Sequence, residues 1–204
     1  DDAKKVFGRV GIGTIGIAAT QINILITTIL ATGTVVGAVS WLNYAFRLFQ
    51  FPVGVLSVSI AGSNLVHFSE SWKKGEKEKA ISFLKTSYLV SFLVLIPSFA
   101  LLYAMAKPSI HLIFERGAFL PSDTVQSTLA LKMYLLGLPF YGCYKVFAPT
   151  FYALDKPRIP VVISMICIGL NVIFCLAFVN RFGFKILALG TSLSMLINVV
   201  CQSV

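Results

Sequence analysis

The run IPVVISMICIGLNVIFCLAFV, Ile159 to Val179, carries no charged residue. It is long enough to cross a bilayer, which takes about 20 apolar residues at a helical rise of ~1.5 Å. Lipid offers the backbone no hydrogen-bond partners, so a segment inside it must satisfy its own amide groups. The run is also too long for a barrel strand of roughly 9–11 residues, which leaves a helix. The same reading extends along the chain. Val10 to Ala31, Thr86 to Ala106 and Ile186 to Val204 are uncharged, Trp41 to Val66 holds only Arg47, and Ser127 to Tyr152 holds Lys132 and Lys145. The expected fold is an all-α integral membrane protein, one helical lobe over residues 1–204. Its six or so transmembrane helices span about 10–31, 41–66, 86–106, 127–152, 159–179 and 186–204.

Composition agrees. Of 204 residues 57% are hydrophobic and only 12% charged, with a mean hydropathy of +0.85. A water-soluble domain carries about 25% charged residues, so a soluble enzyme is excluded. The formal net charge of +9, from 17 Lys and Arg against 8 Asp and Glu, raises nucleic acid as a partner. The cations sit in short loops between apolar runs, however, where they set orientation and meet anionic headgroups, so membrane lipids rather than nucleic acid are expected. Cys143, Cys167, Cys175 and Cys201 lie in apolar runs with no CxxC spacing, as small core residues do.

Loop charge sets the sidedness. Lys4, Lys5, Arg9, Lys73, Lys74, Lys77, Lys79, Lys85, Lys156 and Arg158 fall on the side of the N-terminus, against Lys107, Arg116, Arg181 and Lys185 opposite. The positive-inside rule puts the N-terminus in the cytoplasm. A start at Asp1 without methionine and a stop within an apolar run suggest a piece of a longer membrane protein. Two connections exceed turns. Ser69 to Lys85, with WKKGEKEKA, suits a short amphipathic helix on the cytoplasmic leaflet. Lys107 to Gln126 holds an apolar stretch too short to span, a stop at Gly117, and Asp123 with Gln126 as a capping box opening the fourth span.

Several motifs have plainer readings. GIGTIG, Gly11 to Gly16, matches a dinucleotide pattern but lacks the preceding strand and a following acid, so close helix packing explains it better. His111 with Glu115, and His67 with Glu70, give two ligands each where a metal needs three or four, so no metal or cofactor is expected. No nucleophile constellation is present, which argues against an enzyme. Prolines 52, 97, 139 and 149 should kink the second, third and fourth spans. Lys132 and Lys145 suit anchoring near span ends.

Arg47 is the informative residue. It lies about 9 Å inside the second span, at a cost of up to roughly 2.5–3.5 kcal/mol, and no acid lies in any candidate span to pair with it. At helical spacing its face holds Ser40, Asn43, Arg47, Gln50, Gly54, Ser57 and Ala61, a polar and small stripe suited to a wet cavity. A guanidinium there can grip a phosphate or pyrophosphate with two parallel bonds. The alternative is an arginine that reaches the interface or pairs with another helix.

The stretches QINILITTILA, GAVSWLNYAFRLFQFPVGVL, FERGAF, YLLGLP and KVFAPTFYALDKPRIPV, in this order along most of the chain, resemble the MurJ/MviN family of bacterial lipid II flippases. The resemblance implies a member of the multidrug, oligosaccharidyl-lipid and polysaccharide exporter superfamily, whose two helical lobes face each other across a cavity. This chain would correspond to the second lobe, its missing first lobe being a partner from the same protein. It further implies that Arg47 faces the cavity, with Ser40 opening the motif, and that the substrate is lipid II, an undecaprenyl-pyrophosphate-linked precursor, flipped between leaflets of the bacterial inner membrane by alternating access. Asn43 and Gln50 join Arg47 and Ser40 as substrate-binding candidates. Family acids beside the arginine are replaced by Phe46 and Gln50. Some relatives bind sodium in this lobe; Asn171 and Thr191 match that pattern, but Thr27 and Cys175 stand where acids would, so no sodium site is expected. Rival readings are an exporter of drugs or another lipid-linked sugar, and a membrane scaffold whose arginine only packs.

Overall fold

The computed structural model describes residues 21–203, which form helices joined by short connections and contain no strand. Helix α1 covers Gln21–Thr32. Helix α2 (Ala38–Pro52) passes through a π-helical turn, Val53–Ser57, into α3 (Val58–Lys73). There follow α4 (Lys77–Ala104), the short α5 (Ala106–Phe114), α6 (Pro121–Leu135), α7 (Leu138–Ala153), α8 (Arg158–Phe182) and α9 (Lys185–Ser203). Four stretches are long and apolar enough to cross a membrane: Ala38–Lys73, Lys77–Ala104, Arg158–Phe182 and Lys185–Ser203. They overlap the expected spans 41–66, 86–106, 159–179 and 186–204; α6 and α7 overlap 127–152, and of 10–31 only the part in α1 is described. The GIGTIG stretch and Lys4, Lys5 and Arg9 lie outside the described residues.

The second span differs most from expectation. It runs for 36 residues, roughly 54 Å, well beyond a bilayer core of ~30 Å. Pro52 lacks an N–H and crowds the carbonyl four residues back. The helix carries on by widening: the Val58 N–H reaches the Val53 carbonyl, five residues away. The extra residue shifts the sequence phase by about 100°, so the face leading down α2 is not the face continuing along α3. Pro97, by contrast, sits inside an unbroken α4.

The fourth span starts earlier and is broken. Helix α6 begins at Pro121, not near Ser127, and Asp123 is its third residue: its carboxylate accepts the Leu120 N–H at 2.8 Å, so no capping box opens at Asp123. The same carboxylate accepts the Trp41 indole N–H at 2.8 Å, joining α6 to α2. The break falls at Leu136 and Gly137. There the Gly137 N–H turns to the Tyr134 carbonyl, leaving the Met133 carbonyl without its helical donor. Ser192 of α9 supplies one, donating to the Met133 carbonyl at 2.7 Å and lying 3.0 Å from that of Tyr134. Gly137 permits this approach, since a Cβ there would sit 2.8 Å from the Ser192 Cα.

The charged connection between the second and third spans forms no separate surface helix. Helix α3 runs to Lys73, a turn with Gly75 at φ 81° follows, and α4 starts at Lys77. Lys74 pairs with Glu70 at 2.6 Å and Lys79 with Glu76 at 3.1 Å, all exposed. At the other end of the molecule α5 packs on α6, and Gly117 takes φ 62° in the loop between them. Within the lobe α3 lies between α4 and α7, α2 rests on α6, and α9 packs against α6, α7 and α8. An aromatic group ties α2 to the α6–α7 break: Phe49 has ring contacts of 5.8 Å to Tyr134 and 5.4 Å to Tyr141, and Phe46 lies 5.4 Å from Tyr134.

Candidate substrate-binding face

Helix α2 buries Ala38, Leu42, Ala45 and Phe49 at helical spacing, which turns Ser40, Asn43, Arg47 and Gln50 outward together. All four expected binding residues are exposed on one face, and Gly54 extends it. The expected continuation through Ser57 and Ala61 is not met. Both are buried, because the π turn rotates them toward α4 and α7. Ser57 Oγ, with no hydrogen-bond partner, would lie 2.9 Å from a Cβ on Gly142 of α7.

Among the described residues Arg47 has no carboxylate partner; the ion pairs there are Lys74–Glu70, Lys79–Glu76 and His111–Glu115. Its guanidinium lies 5.9 Å from the centre of the Tyr44 ring, a cation–π contact. Tyr44 is held between Phe114 at 4.8 Å and Phe119 at 5.1 Å, so the loop carrying the FERGAF residues braces the arginine from behind. Asn43 donates its amide to the Val39 carbonyl at 2.8 Å, which keeps its own carbonyl oxygen available. Phe46 packs on Phe49 and Tyr134.

Beside this face a cleft of about 240 Å³ opens between α1, α2, the α6–α7 break and α9. Asn43 is the only expected binding residue that lines it; Thr27, Phe46, Tyr134, Tyr141 and Thr191 do so too. The sequence reading missed Tyr44, Tyr134 and Tyr141, which look like ordinary apolar-run residues until the break brings them round. The ammonium of Lys145, expected as an anchor, lies 5.5 Å from the centre of the Tyr141 ring. The Tyr141–Lys145 spacing of one helical turn was a legible signal for that contact.

Of the residues that resembled an ion site, Asn171 and Cys175 bond each other and Thr191 bonds its own helix backbone. Asn171 donates to Asn23 at 3.2 Å, Cys175 donates to the Asn171 carbonyl at 3.5 Å, and Thr191 donates to the Leu187 carbonyl at 3.0 Å. Thr27 lines the cleft. Among the described residues no three His, Cys, Asp or Glu side chains gather. His67 stacks on Phe83 at 5.1 Å. His111 sits 2.8 Å from Glu115, whose carboxylate also accepts the Thr124 hydroxyl; these contacts, His111 first, hold the Glu115 carboxyl below the usual carboxylate range.

Comparison with known proteins places this lobe. Residues 1–203 match the family described as lipid II flippase MurJ. A probable lipid II flippase MurJ of Buchnera aphidicola subsp. Acyrthosiphon pisum is 29% identical over 98% of the chain and 39% of its own length. The corresponding protein of Rhizobium meliloti is 36% identical over 75% of the chain and 28% of its own length. A solved lipid II flippase MurJ in an inward closed conformation superposes with a TM-score of 0.84 at 28% identity, over 92% of this chain and 40% of that one. An outward-facing multidrug resistance transporter of the MOP superfamily shares the fold, with a TM-score of 0.80 at 16% identity over 93% of this chain and 41% of that one. The chain thus spans less than half the length of the relatives it matches, and it belongs to the lipid II flippase MurJ family.

Proposed function

We propose that the chain forms one lobe of a longer two-lobed flippase that moves an undecaprenyl-pyrophosphate-linked peptidoglycan precursor, lipid II, from the inner to the outer leaflet of the bacterial cytoplasmic membrane. The substrate headgroup enters a cavity between this lobe and a first lobe, the prenyl chain stays in lipid, and the lobes rock to open on alternate sides. Arg47 grips the pyrophosphate, and Ser40, Asn43 and Gln50 supply weaker polar contacts. The N-terminus of the chain lies in the cytoplasm, which puts the Gly75 turn on the cytoplasmic side and the α5–α6 loop outside. No covalent step and no cofactor are involved, so the protein is not an enzyme. The observation that carries the reading is an arginine exposed on the open face of α2, inside a membrane span and with no carboxylate partner among the described residues, in a chain of this family.

The test uses the full-length protein containing this chain, in cells whose own flippase can be switched off. Precursor reaching the outer leaflet is measured at matched membrane levels. Wild type rescues and Arg47→Ala fails; Arg47→Lys, which keeps the charge and loses the two-bond grip, is impaired about tenfold or more. Full activity of Arg47→Lys overturns the phosphate grip and favours a scaffolding role. Failure of wild type despite correct insertion moves an exporter of another lipid-linked sugar or a drug to the front.

A further inference from the structure

The two phenylalanines of FERGAF, Phe114 and Phe119, stand five positions apart, yet both reach one ring of another helix. Gly117 makes this possible. Its φ of 62° lies in the left-handed region, which is open to glycine without strain, and the chain turns back on itself there. The Phe119 N–H closes the turn on the Arg116 carbonyl at 3.2 Å, and the two phenyl rings come within 6.3 Å of each other. Phe114 then lies 4.8 Å from the Tyr44 ring, and Phe119 meets the same ring at a right angle, 5.1 Å away. The loop itself is pinned. Glu115 contacts His111 of α5 and accepts the Thr124 hydroxyl of α6. Asp123 accepts the indole N–H of Trp41, which stands one turn before Tyr44 on α2.

A ring held in this way is a fixed place for a cation. Tyr44 precedes Arg47 by three residues, so helical spacing puts the two side chains next to each other. The guanidinium lies over the ring, 5.9 Å from its centre. The face of an aromatic ring is its negative side and attracts a cation within about 6 Å. Arg47 is exposed and has no carboxylate partner among the described residues, so the ring is what restrains its long side chain. An unrestrained arginine would have to be ordered at each binding event, which lowers affinity. We propose that Tyr44 is a positioning residue for Arg47: clamped by Phe114 and Phe119, its ring holds the guanidinium ready for the pyrophosphate of a lipid-linked substrate. The proposal rests on the flippase reading above and adds what orders its arginine. It also gives FERGAF a part in binding, since the loop sets Tyr44 and Tyr44 sets Arg47.

The experiment weakens the negative face of the ring while nearly keeping its size. In the full-length protein, position 44 is replaced by phenylalanine carrying no, one, two or three ring fluorines, and affinity for undecaprenyl pyrophosphate is measured in nanodiscs. Each fluorine draws electron density from the ring face and loosens its hold on a cation. Tyr44→Phe sets the reference. Affinity should fall with each fluorine, to about three- to fivefold below the reference at three. Phe119→Leu, which loosens the clamp and leaves Tyr44 and Arg47 in place, should weaken binding about twofold. In an Arg47→Gln background, itself about tenfold weaker, the fluorine series should be flat, because ring and guanidinium act as one unit. A flat series with Arg47 present, where Arg47→Gln still weakens binding, overturns the positioning role and leaves the flippase reading standing. A series that falls equally in the Arg47→Gln background also overturns it, since the ring then acts on something other than the arginine. Failure of wild type to bind the probe, or no loss in Arg47→Gln, overturns both readings.

Discussion

Helices α2 and α3 are two halves of one span with a similar scatter of small and polar residues, yet their surroundings are opposite. In α2 the polar residues Ser40, Asn43, Arg47 and Gln50 are exposed, and Ala38, Leu42, Ala45 and Phe49 are buried. In α3 and the turn before it Ser57, Asn64 and Ser71 are buried beside Ala61 and Phe68, while Val55, Val58 and Val66 are exposed together with Ser59 and Ser63. The reversal turns on one residue, inserted where Pro52 denies the helix a donor. Above the insertion the span exposes a polar face. Below it the span shows hydrocarbon outward and packs its small polar groups against α4 and α7, where they permit close approach.

Thiol labelling should break or sharpen this contrast most strongly. In a Cys201→Ser background, single cysteines at Asn43 and Gln50 should react with a maleimide on the order of a hundredfold faster than cysteines at Ser57 and Ala61. Similar rates at all four positions would mean that the stripe runs on unbroken. Next comes a glycine pair. A Cβ at Gly142 would lie 1.9 Å from Leu95 Cδ1 and 2.9 Å from Ser57 Oγ, whereas none of the atoms around Gly54 comes within 4 Å. Thermal unfolding of Gly142→Ala should show a loss of about 2 kcal/mol. Gly54→Ala should be neutral or gain up to roughly 0.5–1 kcal/mol from helix propensity.

The asparagines give a smaller contrast. Asn64 donates to Thr150 at 3.1 Å inside the lobe, so Asn64→Ala should cost about 1 kcal/mol in the same assay. Asn43→Ala, on the open face, should stay within about 0.5 kcal/mol of wild type in stability. The smallest effect is expected at the α5–α6 loop. Glu115 is held below its usual range by His111 and Thr124, so its stabilising contribution is present above the unfolded value of about 4.3 and is lost as pH falls through the lower folded value. Wild type should therefore melt above Glu115→Gln near pH 6, with the gap closing below about pH 4. A gap that persists in acid would show that the carboxylate's charge is not what joins α5 to α6.

Much of the fold was legible because the bilayer is an unforgiving solvent. An uncharged run of this length has no stable alternative to a helix, and α8 and α9 occur close to where Ile159–Val179 and Ile186–Val204 predicted them. The exposed polar face of α2 was legible down to Gln50, since helical spacing within one unbroken helix needs no tertiary information. It failed at Ser57 because two prolines with the same local chemistry behave differently. Pro52 produces a π turn and Pro97 does not, and the choice depends on what packs outside each helix. The early start of α6 was missed because Asp123 serves Trp41, 82 positions away, as well as its own helix end.

What the sequence determined by itself is the set of helices, the lone mid-span arginine and the family motifs around it, all properties of residues within a few turns of one another. The tertiary structure decided the break at Gly137, the aromatic brace behind Arg47 and the cleft between α1, α2, the α6–α7 break and α9. Each of these forms only where helices far apart in the chain meet, and local spacing carries no record of which faces will touch.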